Sequence, residues 1–218
     1  MEVNSTKKEI KTWSTGEKIE IKIPLTQEEN KKIENILKEL GFQPIRSVEE
    51  ETDFVFLFYE NFILKLRDDK NEEKIGIAFS IEKGSKEHNF PDYFFSPRIS
   101  SIIILKNYRI KSKESLICES VDNKDPNLRV VQTCKEKRNY FKRGNLEVSH
   151  DINVKGIKLD GEKKEIKLGD FLEVTVSPEN KKELDAFLEE LKEKGIPTKI
   201  ITQHYYSMVL GGFNKIRD

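Results

Sequence analysis

The chain has 218 residues, 36% apolar and 36% charged, and its 39 basic and 39 acidic side chains leave a formal net charge of zero. That length suits one large domain or two small ones, and the charged fraction lies well above the usual quarter. The balance excludes a global basic field for nucleic acid, although local basic patches stay open.

Residues 1–15 read as a polar lead-in, which Trp13 could pin to the body, and residues 16–218 as a single domain. The first strand carries the most informative pattern. Ile19, Ile21 and Ile23 point one way, and Lys18, Glu20 and Lys22 the other, because strand side chains alternate. Thr26-Gln27-Glu28-Glu29 is a capping box. It opens a helix with Ile33, Ile36, Leu37 and Leu40 on one face, and Gly41 stops it. Residues 48–58 and 62–67 predict a hairpin, with Lys65 and Arg67 opposite Leu64 and Leu66. A third strand follows through Ile75, Ile77, Phe79 and Ile81, and then an irregular loop over residues 85–97. Residues 101–105, 108–111, 130–141 and 145–152 predict further strands, with a hydrophilic connection at 156–167. The last strand, 171–176, has Leu172, Val174 and Val176 on one face. Ser177-Pro178 then begins a helix with Leu184, Phe187, Leu188 and Leu191 in its buried stripe, ended by Gly195. Residues 205–210 predict a short closing helix.

The βα unit from Glu20 to Gly41 recurs in design from Glu173 to Gly195, which suggests pseudo-symmetric βα halves. About eight strands joined mostly as hairpins predict an α+β fold. We expect a closed antiparallel eight-stranded β-barrel with the long helices packed outside on its isoleucine and leucine faces. The charged faces then line a tunnel. Glu20, Lys22, Lys65, Arg67 and Glu173 belong to this inward set, with some of Glu82, Lys83, Glu136 and Arg138. Charges of both signs inside a barrel are costly unless paired or engaged by a ligand. Basic groups can hold phosphates, and carboxylates beside them suit a divalent cation. The combination points to a metal-bound polyphosphate.

These segments resemble the CYTH superfamily, the triphosphate tunnel metalloenzymes, whose first strand reads Glu-x-Glu-x-Lys. The corresponding strand here is Lys18-Ile19-Glu20-Ile21-Lys22. Asp53-Phe54-Val55-Phe56, Ile63-Leu64-Lys65-Leu66-Arg67, Val148-Ser149-His150-Asp151, Leu168-Gly169-Asp170-Phe171-Leu172-Glu173 and His204-Tyr205-Tyr206-Ser207-Met208-Val209-Leu210 resemble later motifs in the family's order. The resemblance implies metal-dependent binding and hydrolysis of a nucleotide or other organic triphosphate. It implies Glu20 and Lys22 as catalytic residues, and Glu20, Asp151 and Glu173 as ligands of Mg²⁺ or Mn²⁺. Lys22, Lys65, Arg67 and Arg138 would clamp phosphates. The register of Lys135 to Arg138 is ambiguous by one residue, which would swap their faces. Lys18 stands where the family has a glutamate, and Thr175 replaces a second one, which removes two oxygen ligands. Two alternatives follow: a catalytically degenerate module that binds a phosphorylated ligand or an RNA 5′ end, and a class IV-type adenylyl cyclase.

Cys118 and Cys134 are too few and too far apart for a zinc knuckle or redox pair, so a reduced, cytoplasmic setting is expected. No apolar run reaches the length of a membrane span, so no membrane partner is expected. His88, His150 and His204 lack metal-ligand spacing, and strand alternation sends His150 to the face opposite Asp151. The aromatic run 90–95 is read as packing.

Overall fold

In the computed structural model, the described backbone covers residues 18–58, 62–69, 72–80, 94–95, 98–99, 128–159 and 164–211; side chains are described at 18–55, 130–159 and 164–211. The elements in chain order are β1 (Ile19–Leu25), α1 (Gln27–Glu39), β2 (Gln43–Phe58), β3 (Phe62–Asp69), β4 (Glu72–Ser80), β5 (Phe94–Phe95), β6 (Arg98–Ile99), β7 (Leu128–Arg143), β8 (Leu146–Lys158) and β9 (Glu165–Val176). A 3₁₀ turn (Pro178–Asn180), α2 (Lys181–Glu193) and α3 (Tyr205–Gly211) follow. All pairings are antiparallel, in the order β5-β1-β9-β8-β7-β2-β3-β4-β6. The fold is α+β with an antiparallel sheet. Among the described residues that sheet is not closed, because no direct ladder joins β1 to β4.

The two βα units lie side by side. β1 pairs with β9, placing Ile21 opposite Val174 and Lys22 opposite Glu173. One face of these strands meets α1 and α2. Ile19, Ile21, Ile23, Val148, Leu172, Val174 and Val176 pack there against Ile33, Leu37, Leu184, Phe187 and Leu191. The capping box forms, with the Glu29 amide donating to Thr26 Oγ1 and the Thr26 amide donating to Glu29 Oε2. Gly41 takes φ 85°, a conformation that costs glycine little.

The other face carries the charges, and one end of it is covered by α3. Tyr205, Tyr206, Met208 and Val209 pack there on Val55, Val131, Val154, Leu168 and Phe171. Gly156 admits this helix: a Cβ there would lie 2.0 Å from Val209 Cγ2. An antiparallel bridge between Lys22 and Ile201 leads the chain into α3.

Several boundaries differ from the sequence reading. β2 begins at Gln43 rather than 48, and β7 spans 128–143. The connection expected at 156–167 is mostly strand, because β8 runs to Lys158 and β9 begins at Glu165. Long paired strands let Ile157 and Ile166 share the ladder despite their polar neighbours. Phe94–Phe95 and Arg98–Ile99 pair as short strands inside and just beyond the expected loop. The expected lead-in at 1–15 and strands at 101–105 and 108–111 lie outside the described residues, as do Glu82, Lys83 and Cys118. Among the described residues, no helix is long and apolar enough to cross a membrane.

Candidate functional site

β1 contributes Glu20 and Lys22 to the charged face. β2 adds Glu51 and Asp53, β7 adds Lys135 and Arg138, β8 adds Ser149 and Asp151, and β9 adds Glu173; all are buried. They form one continuous network across five strands. Lys22 Nζ donates to Glu20 Oε1 at 2.6 Å and lies 3.4 Å from Glu173 Oε2. Arg138 is the hub. Its guanidinium donates to Glu173 Oε1, to Ser149 Oγ at 2.6 Å and to Glu51 Oε1 at 3.1 Å, and its Nε stands 3.1 Å from Asp151 Oδ1. Lys135 Nζ donates to Glu51 Oε1 at 2.8 Å and to Asp53 Oδ2 at 3.0 Å. Tyr140 donates to Glu51 Oε2 at 2.7 Å.

The helix α3 closes this network from its apolar end. Tyr205 donates its hydroxyl to Asp151 Oδ2 at 2.7 Å, and its ring lies beneath Lys22 Nζ (4.9 Å) and Lys135 Nζ (5.6 Å). His204 Nδ1 sits 3.1 Å from Glu20 Oε1 and stacks on Tyr206.

The structure brings Glu20, Lys22, Arg138, Asp151 and Glu173 together. For Lys65 and Arg67 it gives register alone: they pair with Val55 and Asp53, in the rows of the charged face. Glu136 is a correction. It is exposed and accepts a hydrogen bond from Asn153 Nδ2, while its neighbour Lys135 takes the buried place on the charged face. His150 does face the helices, against Glu34 and Asn30 of α1.

No family model and no curated protein matches the sequence. Among solved structures, the chain is similar to the PH1012 protein of Pyrococcus horikoshii, at 19% identity and TM-score 0.55, covering 87% of this chain and 98% of that one. A conserved hypothetical protein of Pyrococcus furiosus matches at 19% identity and TM-score 0.54, with the same coverage. The Pct1 RNA triphosphatase of Schizosaccharomyces pombe is more distant, at 12% identity and TM-score 0.39, covering 83% of this chain and 77% of that one. At these identities the likeness is one of fold.

Lys18 is half-buried and lies 3.6 Å from Glu147 Oε2. Thr175 is cross-strand from both Glu20 and Glu147. The sequence reading missed Glu51, Lys135 and Tyr140, and assigned no role to Asp53, Tyr205 or His204. Asp53, Tyr205 and His204 stood inside family-like motifs. Glu51, one of three consecutive glutamates, gave no alternation signal.

Five buried carboxylates (Glu20, Glu51, Asp53, Asp151, Glu173) meet three buried cations (Lys22, Lys135, Arg138) among the described side chains. Buried carboxylate oxygens are a donor type that suits a divalent cation. The present geometry does not yet gather ligands for one: among the described residues, no three potential ligands converge on a point. Each candidate carboxylate is held by a side-chain cation, so the ion pairs must open before a metal can enter.

The same crowding separates two carboxyl groups. Burial pushes Asp151 up to about 6, despite Arg138, with Glu173 adding repulsion. Burial also acts on Glu173, but Arg138 and Lys22 outweigh it and bring that group to about 2. A carboxyl raised in the fold stabilises most below its unfolded value, and that stability is lost as pH rises through the folded value. Asp151 therefore costs stability increasingly between about 4 and 6. Asp151→Asn removes this titration, so its stability relative to the parent should be higher at pH 7 than at pH 4. Urea melts at the two pH values check this; an unchanged difference would place Asp151 in contact with water.

Proposed function

We propose that the charged face encloses a site for a triphosphate-bearing ligand and that the chain hydrolyses that ligand with Mg²⁺ or Mn²⁺. The observation that carries this reading is the single buried network in which phosphate-binding cations and metal-binding carboxylates from five strands interleave. Enclosure fits the pairing of Phe94–Phe95 with β1 and of Arg98–Ile99 with β4, since one short stretch reaches both sheet edges. Closure into the eight-stranded tunnel is part of the proposal, as are a single domain over 16–218 and a cytoplasmic setting, to which the free thiol of Cys134 is suited.

In this reading Glu20, Asp151 and Glu173 hold the metal, which when bound supplies positive charge to phosphate oxygens and activates water. The remaining roles belong to the chain. Lys22 and Arg138 bind phosphate oxygens, Lys as a point charge and Arg as a fork. Lys65 and Arg67 extend this clamp along the rows of Val55 and Asp53. Glu51 holds Arg138 and Lys135 in position through one oxygen and Tyr140 through the other. Burial excludes water, so each of these contacts acts in a low dielectric.

A second reading is favoured by Lys18 and Thr175, which stand where two family glutamates belong. The chain would then bind a phosphorylated ligand or an RNA 5′ end without turnover. One panel separates the readings: ATP, GTP, thiamine triphosphate and tripolyphosphate with Mg²⁺ or Mn²⁺, assayed for phosphate release and, with ATP, for cyclic nucleotide. Hydrolysis predicts phosphate release that falls roughly 100-fold or more in Glu20→Gln. Cyclic product would instead indicate a cyclase. Binding with no product from any member would indicate the module.

A further inference from the structure

Lys22 occupies the gap a metal would need. It is the direct cross-strand partner of Glu173 and lies two residues from Glu20 on the same strand face. Its ammonium stands 2.6 Å from Glu20 Oε1 and 3.4 Å from Glu173 Oε2, with the Tyr205 ring 4.9 Å away. The side chain is 1% exposed, so no bulk water competes for the charge. Arg138 repeats the arrangement beside Asp151 and Glu173. Every carboxylate assigned to the metal is therefore neutralised by a cation assigned to phosphate.

We propose that Lys22 is a built-in counter-ion that keeps Glu20 and Glu173 from a bare divalent cation and releases them when a polyphosphate arrives to take its ammonium. Metal and polyphosphate consequently bind with positive coupling, each raising the affinity for the other by the same factor. Physically, an incoming metal alone must displace a paired ammonium and then leave that like charge buried beside it. An incoming polyphosphate alone must take the ammonium and leave Glu20 and Glu173 buried without it. Together they exchange partners, and no buried charge is left unpaired. The flexible stem of lysine allows the ammonium to move from carboxylate to phosphate without moving β1. The inference rests on the triphosphate reading, and it concerns the order and coupling of binding rather than the reaction.

Two measurements test it. The first is the melting temperature of the full wild-type chain with Mn²⁺ alone, with tripolyphosphate in EDTA, and with both. The shift with both should exceed the sum of the separate shifts. The second is Mn²⁺ binding without any phosphate, followed by the spin resonance of free Mn²⁺. Lys22→Gln should bind Mn²⁺ at least about tenfold more tightly than the parent, whereas Lys22→Arg, which keeps the charge, should not. A Mn²⁺ shift as large as the shift with both ligands overturns the counter-ion role, as does a folded Lys22→Gln with unchanged or weaker Mn²⁺ binding. Should Lys22→Gln fail to fold, the wild-type shifts decide. No shift with the pair overturns the triphosphate reading itself.

Discussion

Arg138→Met is expected to lose about 3–5 kcal/mol of stability, the cost of breaking a buried ion network by removing one partner. Arg138 is 4% exposed and meets Glu51, Ser149, Asp151 and Glu173 at once. Methionine fills much of the same volume, so the loss reports charge rather than a cavity. Among the described side chains, five buried carboxylates would then share Lys22 and Lys135, and protonating Asp151, already raised to about 6 and deprived of the cation that most lowers it, becomes the cheapest repair. The parent gains stability through Asp151 as pH falls from 7 towards 4, and the variant should gain more, so that its deficit shrinks. Arg138→Lys keeps one charge but cannot span four partners with one ammonium, so an intermediate loss is expected. Urea melts at several pH values measure all three. A loss below about 1 kcal/mol for Arg138→Met would mean that water screens the charged face, as it does a surface pair. The enclosed site would then be untenable.

The sequence showed this site only where strand alternation was unbroken. β1 has no bulge, so Glu20 and Lys22 separated cleanly from Ile19, Ile21 and Ile23, and the final residues of β9 behaved alike. Across the middle of the sheet the alternation slips. Glu50 on β2 has φ 56°, Asn153 on β8 has φ 50°, and Gly169 on β9 has φ 112°. The register aligns them: Glu49 and Glu51 flank Glu50 opposite Lys137 and Lys135, and the pairing of Val154 with Gly169 shifts beside Asn153. Asn153 ties this row together, donating its side-chain amide to Glu136 and its backbone N–H to Asp170. A register shift of this kind, seen between β8 and β9, advances the side-chain phase by one residue. On β7 Lys135 and Arg138, three apart, share the charged face, whereas Glu51 and Asp53 on β2 follow plain alternation. Asn153 and Gly169 are residue types that favour positive φ, but Glu50 is not, and nothing local marked it. The helix at 205–210 was legible as an apolar run. Its placement over the charged face was not, because that depends on Gly156 and on the bridge to Lys22, which are contacts distant in sequence.

The placement of α3 gives the second large effect. Tyr205→Ala is expected to destabilise the chain by about 3–5 kcal/mol, the usual loss for truncating a large buried aromatic. The ring packs edge-on against Phe171 at 5.3 Å, supports Lys22 and Lys135 on its face, and hands its hydroxyl to Asp151. Tyr205→Phe separates these roles. It retains the packing and removes one donor from a buried carboxylate, for an expected loss of about 1–3 kcal/mol. The tyrosine hydrogen bond also lowers the Asp151 value, so phenylalanine should push that group further above about 6. The penalty of Tyr205→Phe should therefore grow as pH rises from 5 to 8, because only the ionised carboxylate misses the donor. Urea melts across that range measure it. If both variants lose the same amount at every pH, the hydroxyl contributes all of the effect and the ring none, and α3 would not be what seals the apolar end of the site.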